Sequence, residues 1–210
     1  MGDLEQIGGN WSQLIKEGKN ISFDFVKNTD DLASILRIVS SFANTEGGSL
    51  LVGVNEKSKL TGVSPQEIIT ELNELFVGNH LDDIVEFHTL YISHYILVRI
   101  QIIKSSKKRK IIEDNLNTFY CRIGENSIQA NKIILRYWRM KAVQVMEDCT
   151  PENMDVLFAL IETSAPLSLA KMYKGTSLSN KEVDQTISCL LFRKKVKISI
   201  KNEKILFQQS

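Results

Sequence analysis

Ser40–Val63 reads SSFANTEGGSLLVGVNEKSKLTGV, and the fold turns on how this stretch is divided. It splits into the last turn of a helix, a glycine stop, a strand, a polar turn and a short returning strand. Ahead of it, Leu32, Ile35, Leu36, Val39 and Phe42 fall at the i, i+3, i+4, i+7 spacing of one buried helix face. Thr29, Asp30 and Asp31 offer N-caps at its start. Gly47-Gly48 predicts the stop, because the residue past a helix often takes a left-handed conformation that glycine adopts at no steric cost. Leu50, Leu51, Val52 and Val54 then run almost without polar interruption, the pattern of a strand covered on both faces. Asn55–Ser58 turns the chain, and Leu60, Gly62 and Val63 bring it back.

This block resembles the Schlafen AlbA-type domain. The shared features are a helix ending in Phe42–Gly48 (FANTEGG), the strand Leu50–Val54 (LLVGV), a short polar turn and the return Thr61–Val63 (TGV). Two flanking blocks fit as well. Phe23-Asp24-Phe25 stands where the family tends to show Glu-Phe-Lys, and Phe119–Gly124 (FYCRIG) is similar to its "yxRxG" strand. The resemblance covers residues 15–140. Many bacterial members are described as DNA-binding or transcriptional regulators, so it implies an α+β fold first and a function second.

Outward from that block, the totals are those of an ordinary globular chain: 210 residues, 43% hydrophobic, 24% charged, net charge +1. No global basicity advertises a nucleic-acid partner, but the charge is uneven. Residues 151–210 hold nine Lys/Arg against six Asp/Glu, and residues 1–150 hold 17 against 19. Cys121, Cys149 and Cys189 stand far apart with no CxxC pair, so three buried thiols are expected, with neither disulfide nor zinc site. No signal peptide and no bilayer-length apolar run are seen, and the cytoplasm is the default location.

Between the ends, local signals are clear. Leu4, Ile7, Trp11, Leu14 and Ile15 are loosely helical around Gly8-Gly9, with a helix expected from Asn10. Ile21, Phe23 and Phe25 alternate as a strand. Ser64-Pro65-Gln66-Glu67 predicts a helix start with a capping box, and Gly78-Asn79 its end. Residues 84–103 predict a hairpin breaking at Ser93-His94, whose His88 and His94 lack partners at ligand spacing. A polar loop Lys104–Lys110, a turn at Asp114-Asn115 and a sheet-closing strand Thr118–Ile123 follow. Ile128, Ala130, Ile133, Ile134, Tyr137 and Trp138 mark a helix capped by Asn126 or Ser127. Lys132, Arg136, Arg139 and Lys141 make one side of it basic.

Glu147–Pro151 reads as a boundary, with Thr150 as N-cap and Pro151 at the first helical position. Beyond it come a helix with Met154, Leu157, Phe158 and Ile161, an extended Ala165–Leu167, and a brief helix with Leu169, Ala170 and Tyr173. A third helix opens at Ser179 with Glu182 three residues on. Val196, Ile198 and Ile200 then alternate up to a turn at Lys201-Asn202-Glu203, and Ile205 and Phe207 return. Three helices and a terminal hairpin resemble the winged helix-turn-helix superfamily.

The chemistry implied divides three ways. Neither a Walker A pattern nor a GxGxxG opening a helix is present, so no nucleotide cofactor is expected. The Schlafen resemblance implies a nuclease site of three carboxylates in RNA-cutting members, a cluster able to hold divalent metal and activate water. Here the first position falls at Lys19, a charge reversal. The second falls at Asp24 and the third at Asn55 or Glu56. At best Asp24 and Glu56 survive as a catalytic pair beside a lysine, so catalysis and a bound metal are not expected. Nucleic-acid binding has two carriers. Lys104, Lys107, Lys108, Arg109 and Lys110 are the densest positive run, either a phosphate-contacting loop or a solvated one. The third C-terminal helix offers Asn180, Lys181, Gln185 and Thr186 toward a major groove, with Arg193, Lys194, Lys195 and Lys197 toward phosphate.

The resulting expectation is an α+β protein, with an AlbA-like mixed sheet packed with helices (residues 1–146) and a small winged helix (147–210). It acts as a DNA-binding transcription regulator, with DNA rather than RNA as partner, as a homodimer and away from membranes. A metal-dependent RNA nuclease and a protein- or effector-binding module stand as alternatives.

Overall fold

A computed structural model describes residues 10–113, 116–146, 149–202 and 204–210, with the side chains of 112 and 113 left out. The expectations at Leu4, Ile7, Gly8-Gly9, the Asp114-Asn115 turn, Glu147-Asp148 and Glu203 lie outside the described residues. By the density of internal contacts the chain divides into two units, Met1–Gln129 and Ala130–Ser210.

In the first unit the quoted stretch builds a parallel crossover. Strand β1 (Phe23–Val26) leads through helix α2 (Leu32–Asn44) to strand β2 (Gly48–Val52), which pairs with β1 in parallel, Asp24 opposite Leu50. A short helix α1 (Trp11–Glu17), capped by Asn10, precedes them. Asp31 is the N-cap of α2, its side chain accepting from the Ser34 amide. The double glycine does two jobs. Gly47 takes φ +77° and donates its amide to the Phe42 carbonyl, closing the helix. At Gly48 a Cβ would stand 2.5 Å from the Ser22 carbonyl oxygen, so only glycine lets β1 lie this close.

Helix α3 (Pro65–Gly78) follows, with Pro65 at its first position. Ser64 makes no side-chain cap bond, so the expected capping box is absent. Strands β3 (Val85–Ile92) and β4 (Tyr95–Ile102) form the expected hairpin around Ser93, at φ +55°. They complete a four-stranded sheet of order β1-β2-β4-β3. The unbroken apolar run in β2 has the two-sided cover it called for. Leu50 and Val52 face α2 and α3 with Val98, Ile100, Phe42 and Phe76, while Leu51 joins Ile15, Phe23, Phe25 and Leu97 on the α1 side.

Two expectations fail here. The return after the turn is a single bridge, Val54 with Leu60, and not a strand. The Thr118–Ile123 segment does not close the main sheet. As β6 (Leu116–Ile123) it pairs with β5 (Lys110–Glu113) and β7 (Asn126–Gln129) in a separate three-stranded sheet. Consequently Asn126 and Ser127 are strand residues, and helix α4 (Lys132–Val143) is capped by Asn131, which accepts from the Ile133 and Ile134 amides. Asn-Ser beside a turn suits a hairpin as well as a cap, and cross-strand pairing with β6 decides between them.

The second unit holds α4, then α5 (Pro151–Ser164), α6 (Leu169–Gly175), α7 (Asn180–Phe192) and the hairpin of β8 (Val196–Lys201) with β9 (Lys204–Gln209). Ile133 and Met140 of α4 share a core with Leu157, Ile161, Met172, Val183, Ile187, Leu190 and Phe207. The expected capping box at Ser179–Glu182 is present, and Leu167 bridges to Phe207 beside the hairpin. The expectation of three free thiols is overturned. Cys149 and Cys189 form a disulfide, leaving Cys121 free. Pairing across 40 residues leaves no spacing motif to read, and only the fold brings the two together. Among the described residues no helix is long and apolar enough to cross a membrane.

Candidate functional site

The three positions of the implied carboxylate cluster do converge, but as an ion pair network. Asp24 is the second residue of β1, its neighbours Phe23 and Phe25 turned to the α1 side and its own carboxylate to the other. It is 2% exposed and held from two sides: Lys19 Nζ lies 3.1 Å from Oδ1 and Arg122 Nη1 2.7 Å from Oδ2. The Phe25 amide also donates to Oδ1 at 2.7 Å. Lys19 Nζ is 3.4 Å from Glu56 Oε1 as well, so the lysine stands between the two acids, its tip 5.1 Å from the Phe25 ring centroid. Asn55 turns away into its own loop, accepting from the Lys57 and Lys59 amides. A cation built into the chain fills the place between the carboxylates, which electrostatically opposes a second, metallic one. Among the described residues no group of three His, Cys, Asp or Glu could hold a metal ion.

Arg122 is the residue that sequence reasoning passed over. It lies on β6, 2% exposed, and donates to the Asn20 carbonyl from Nε at 3.0 Å and to Ser127 Oγ from Nη1 at 3.0 Å. Its guanidinium carbon sits 4.8 Å from the Phe42 ring centroid. Burial lowers its pKa, and the Asp24 charge offsets only part of that. The only signal available was its place in the FYCRIG block. Nearby, burial raises the Cys121 thiol to about 12, which keeps it protonated and unreactive.

The lysine-rich loop is tied down rather than swinging free. The buried C-terminal end of α2 leaves carbonyls without helical partners, and the loop supplies donors to them. Lys108 Nζ donates to the Asn44 carbonyl at 2.7 Å and the Ser105 amide to that of Ala43 at 2.9 Å. Burial, then the charge of Lys104, lowers the Lys108 pKa. Arg109 reaches Ser105 Oγ, the His80 carbonyl and Asp83, while its amide donates to Asn44 Oδ1 at 2.6 Å. Lys104 pairs with Glu46 at 3.0 Å. Lys107 and Lys110 are exposed.

In the second unit, Asn180 and Lys181 are exposed on the first turn of α7 and Gln185 is half-buried, but Thr186 is only 2% exposed and is withdrawn from any groove. Helix α4 lies along α7, with Lys132 Nζ 2.5 Å from Asp184, which also accepts from the Tyr173 hydroxyl. The hydrogen bond of Lys132 to Asp184, and then one to Tyr173, raises the Lys132 pKa. Arg193, Lys194 and Lys195 are exposed where α7 ends, and Lys197 is exposed on β8.

Comparison with solved structures finds distant likenesses. The DIP2311 protein of Corynebacterium diphtheriae is 14% identical, with a TM-score of 0.46 over 90% of this chain and 38% of that one. The N-terminal domain of a Nitrosomonas europaea protein described as ATP-dependent DNA helicase RecG-related is 17% identical, with a TM-score of 0.39 over 57% of this chain and 92% of that one. The chain thus spans well under half of the first of these proteins. No curated protein matches. Residues 16–131, more than half of the sequence, match the family described as Schlafen, AlbA_2, and the chain belongs to that family.

Proposed function

We propose that this chain is a nucleic-acid-binding protein, a DNA-binding transcription regulator that works without catalysis and as a homodimer. The observation that carries the reading is how charge divides between the two units. Residues 130–210 hold 13 Lys/Arg against eight Asp/Glu, a net +5, while residues 1–129 hold 13 against 17, a net −4. A net positive charge gathered in one unit of a nearly neutral chain is the electrostatic footprint of a polyanion partner. Three helices, the Leu167–Phe207 bridge and the β8–β9 hairpin support a winged helix, an architecture that favours duplex DNA over RNA. Lys19 and Arg122 on Asp24 speak against the nuclease alternative, because freeing the acid would strip the buried Arg122 guanidinium of its carboxylate partner. Under this reading the place of action is the cytoplasm, where disulfides are mostly transient, so the Cys149–Cys189 link is expected to be reducible.

Fluorescence anisotropy of the full chain against duplex DNA and single-stranded RNA across a salt series tests it. The expected result is tighter binding to DNA with a steep negative salt dependence. Loss of cleavage in an Asp24→Ala variant of a preparation that cuts RNA with Mg²⁺ or Mn²⁺ would support the nuclease instead. Absence of salt-sensitive binding would leave a protein- or effector-binding module.

A further inference from the structure

Helix α4 precedes the Glu147–Pro151 boundary in the sequence, yet it ends beside the exposed cations that follow α7. The two helices run side by side in the same direction. Lys132 meets Asp184 at one end, and at the other Lys141 Nζ stands 5.8 Å from the Phe192 ring centroid and Arg193 Nε 3.4 Å from Met146 Sδ. Their C-terminal ends therefore coincide, which gathers Arg139, Lys141, Arg193, Lys194 and Lys195, all exposed. Among the described residues none of these five has a carboxylate partner.

Helix-end cations do have a structural use, since they offset the negative end of the helix dipole. One or two would suffice for that, and here one of the cations sits at a strained backbone position. The Lys195 amide donates to the Leu190 carbonyl and the Lys194 amide to that of Leu191, so Lys194 occupies the left-handed position of a Schellman stop, at φ +57°. Glycine is the residue this position favours. Here the residue is Lys194, flanked by Arg193 and Lys195.

We propose that this end of the second unit, formed by Arg139 and Lys141 of α4 with Arg193, Lys194 and Lys195, is a surface that grips the phosphodiester backbone of duplex DNA without reading bases. The inference rests on the DNA-binding reading and extends it to α4. Phosphate contact fits because the side chains are long cations, the donors suited to phosphate oxygens. Phe192 and Phe158 are half-buried and lie under Lys141 and Lys195, so neither ring is open for stacking on unpaired bases. The second half of α7 is also unavailable for groove reading, since Thr186, Ser188 and Cys189 are buried.

Four full-length variants test it against duplexes of two unrelated sequences across a salt series, with thermal melts as a folding control. Arg139→Ala/Lys141→Ala should flatten the log-log salt slope by about 1.8 and Arg193→Ala/Lys194→Ala/Lys195→Ala by about 2.7, equally on both sequences. Lys194→Gly should lose about 0.9 of slope while keeping or raising its melting temperature, which separates charge from fold. Arg139→Lys/Lys141→Arg should restore wild-type behaviour. If the α4 variant keeps the full slope while the α7 variant loses it, the extension to α4 falls and the DNA-binding reading stands. Effects that differ between the two sequences would overturn backbone-only contact. If the wild-type chain shows no salt-dependent DNA binding, both fall. Loss of binding to phosphatidylserine vesicles but not to DNA in these variants would make the surface a membrane contact and overturn the proposal.

Discussion

At the scale of single residues, the buried pair of Arg122 and Asp24 is the highest-stakes interaction in the first unit. Their side chains are 1% and 3% exposed, so neither charge can fall back on water if its partner goes. Arg122→Ala is expected to cost about 3–5 kcal/mol, measured by chemical denaturation. Lys19 would remain beside Asp24 as a half-buried cation. The double variant Arg122→Met/Asp24→Asn should recover most of that loss, because it removes both charges rather than stranding one. A strictly additive loss would show that the two residues act separately. The same logic places Lys19: lysine midway between Asp24 and Glu56 turns a potential cation site into a self-neutralised one.

At the scale of elements, the disulfide links the segment entering α5 to the last turn of α7, where Cys189 is fully buried. Closing a loop of 40 residues removes chain entropy worth about 4 kcal/mol from the unfolded state. A dithiol reductant should therefore lower the melting temperature of the second unit, and Cys149→Ser should match the reduced wild type. Equal melting with and without reductant would mean that packing alone holds α7. The loop 104–110 behaves differently from a free charged loop. Because Arg109 holds Ser105, His80 and Asp83, Arg109→Ala should reduce stability, whereas Lys107 and Lys110 can change with little effect on it.

At the scale of the whole molecule, where the second unit starts is a physical question about α4. Ile133 and Met140 share the core of α5, α6 and α7, and Lys132 holds Asp184. A fragment of residues 130–210 is expected to melt cooperatively. One of residues 147–210 should be markedly less stable, having lost two buried apolar side chains and that pair. Equal stability of the two fragments, read by circular dichroism, would put the boundary at 146 and reduce α4 to a linker. Dimerisation belongs to this scale too, and light scattering that gives a monomer at working concentrations would remove it from the proposal.

By itself the sequence determined what depends on neighbours along the chain. The faces of α2 and α7, the double-glycine stop, the β3–β4 hairpin and the capping box at Ser179 are all local, set by periodicity, caps and turn residues within one or two turns of chain. The family was legible in the same block, because its signature is contiguous. Tertiary structure alone decided everything that joins distant segments. It gave β6 to a separate sheet, tied Asp24 to Arg122, formed the Cys149–Cys189 bond and laid α4 along α7. Partners so far apart leave no spacing to read: a strand's pattern shows which side chains are buried but not which strand it will pair with, and a lone charge shows nothing of the charge it will meet. The candidate interface followed the same rule, since its cations were visible singly and only the parallel run of two helices brought them to one end.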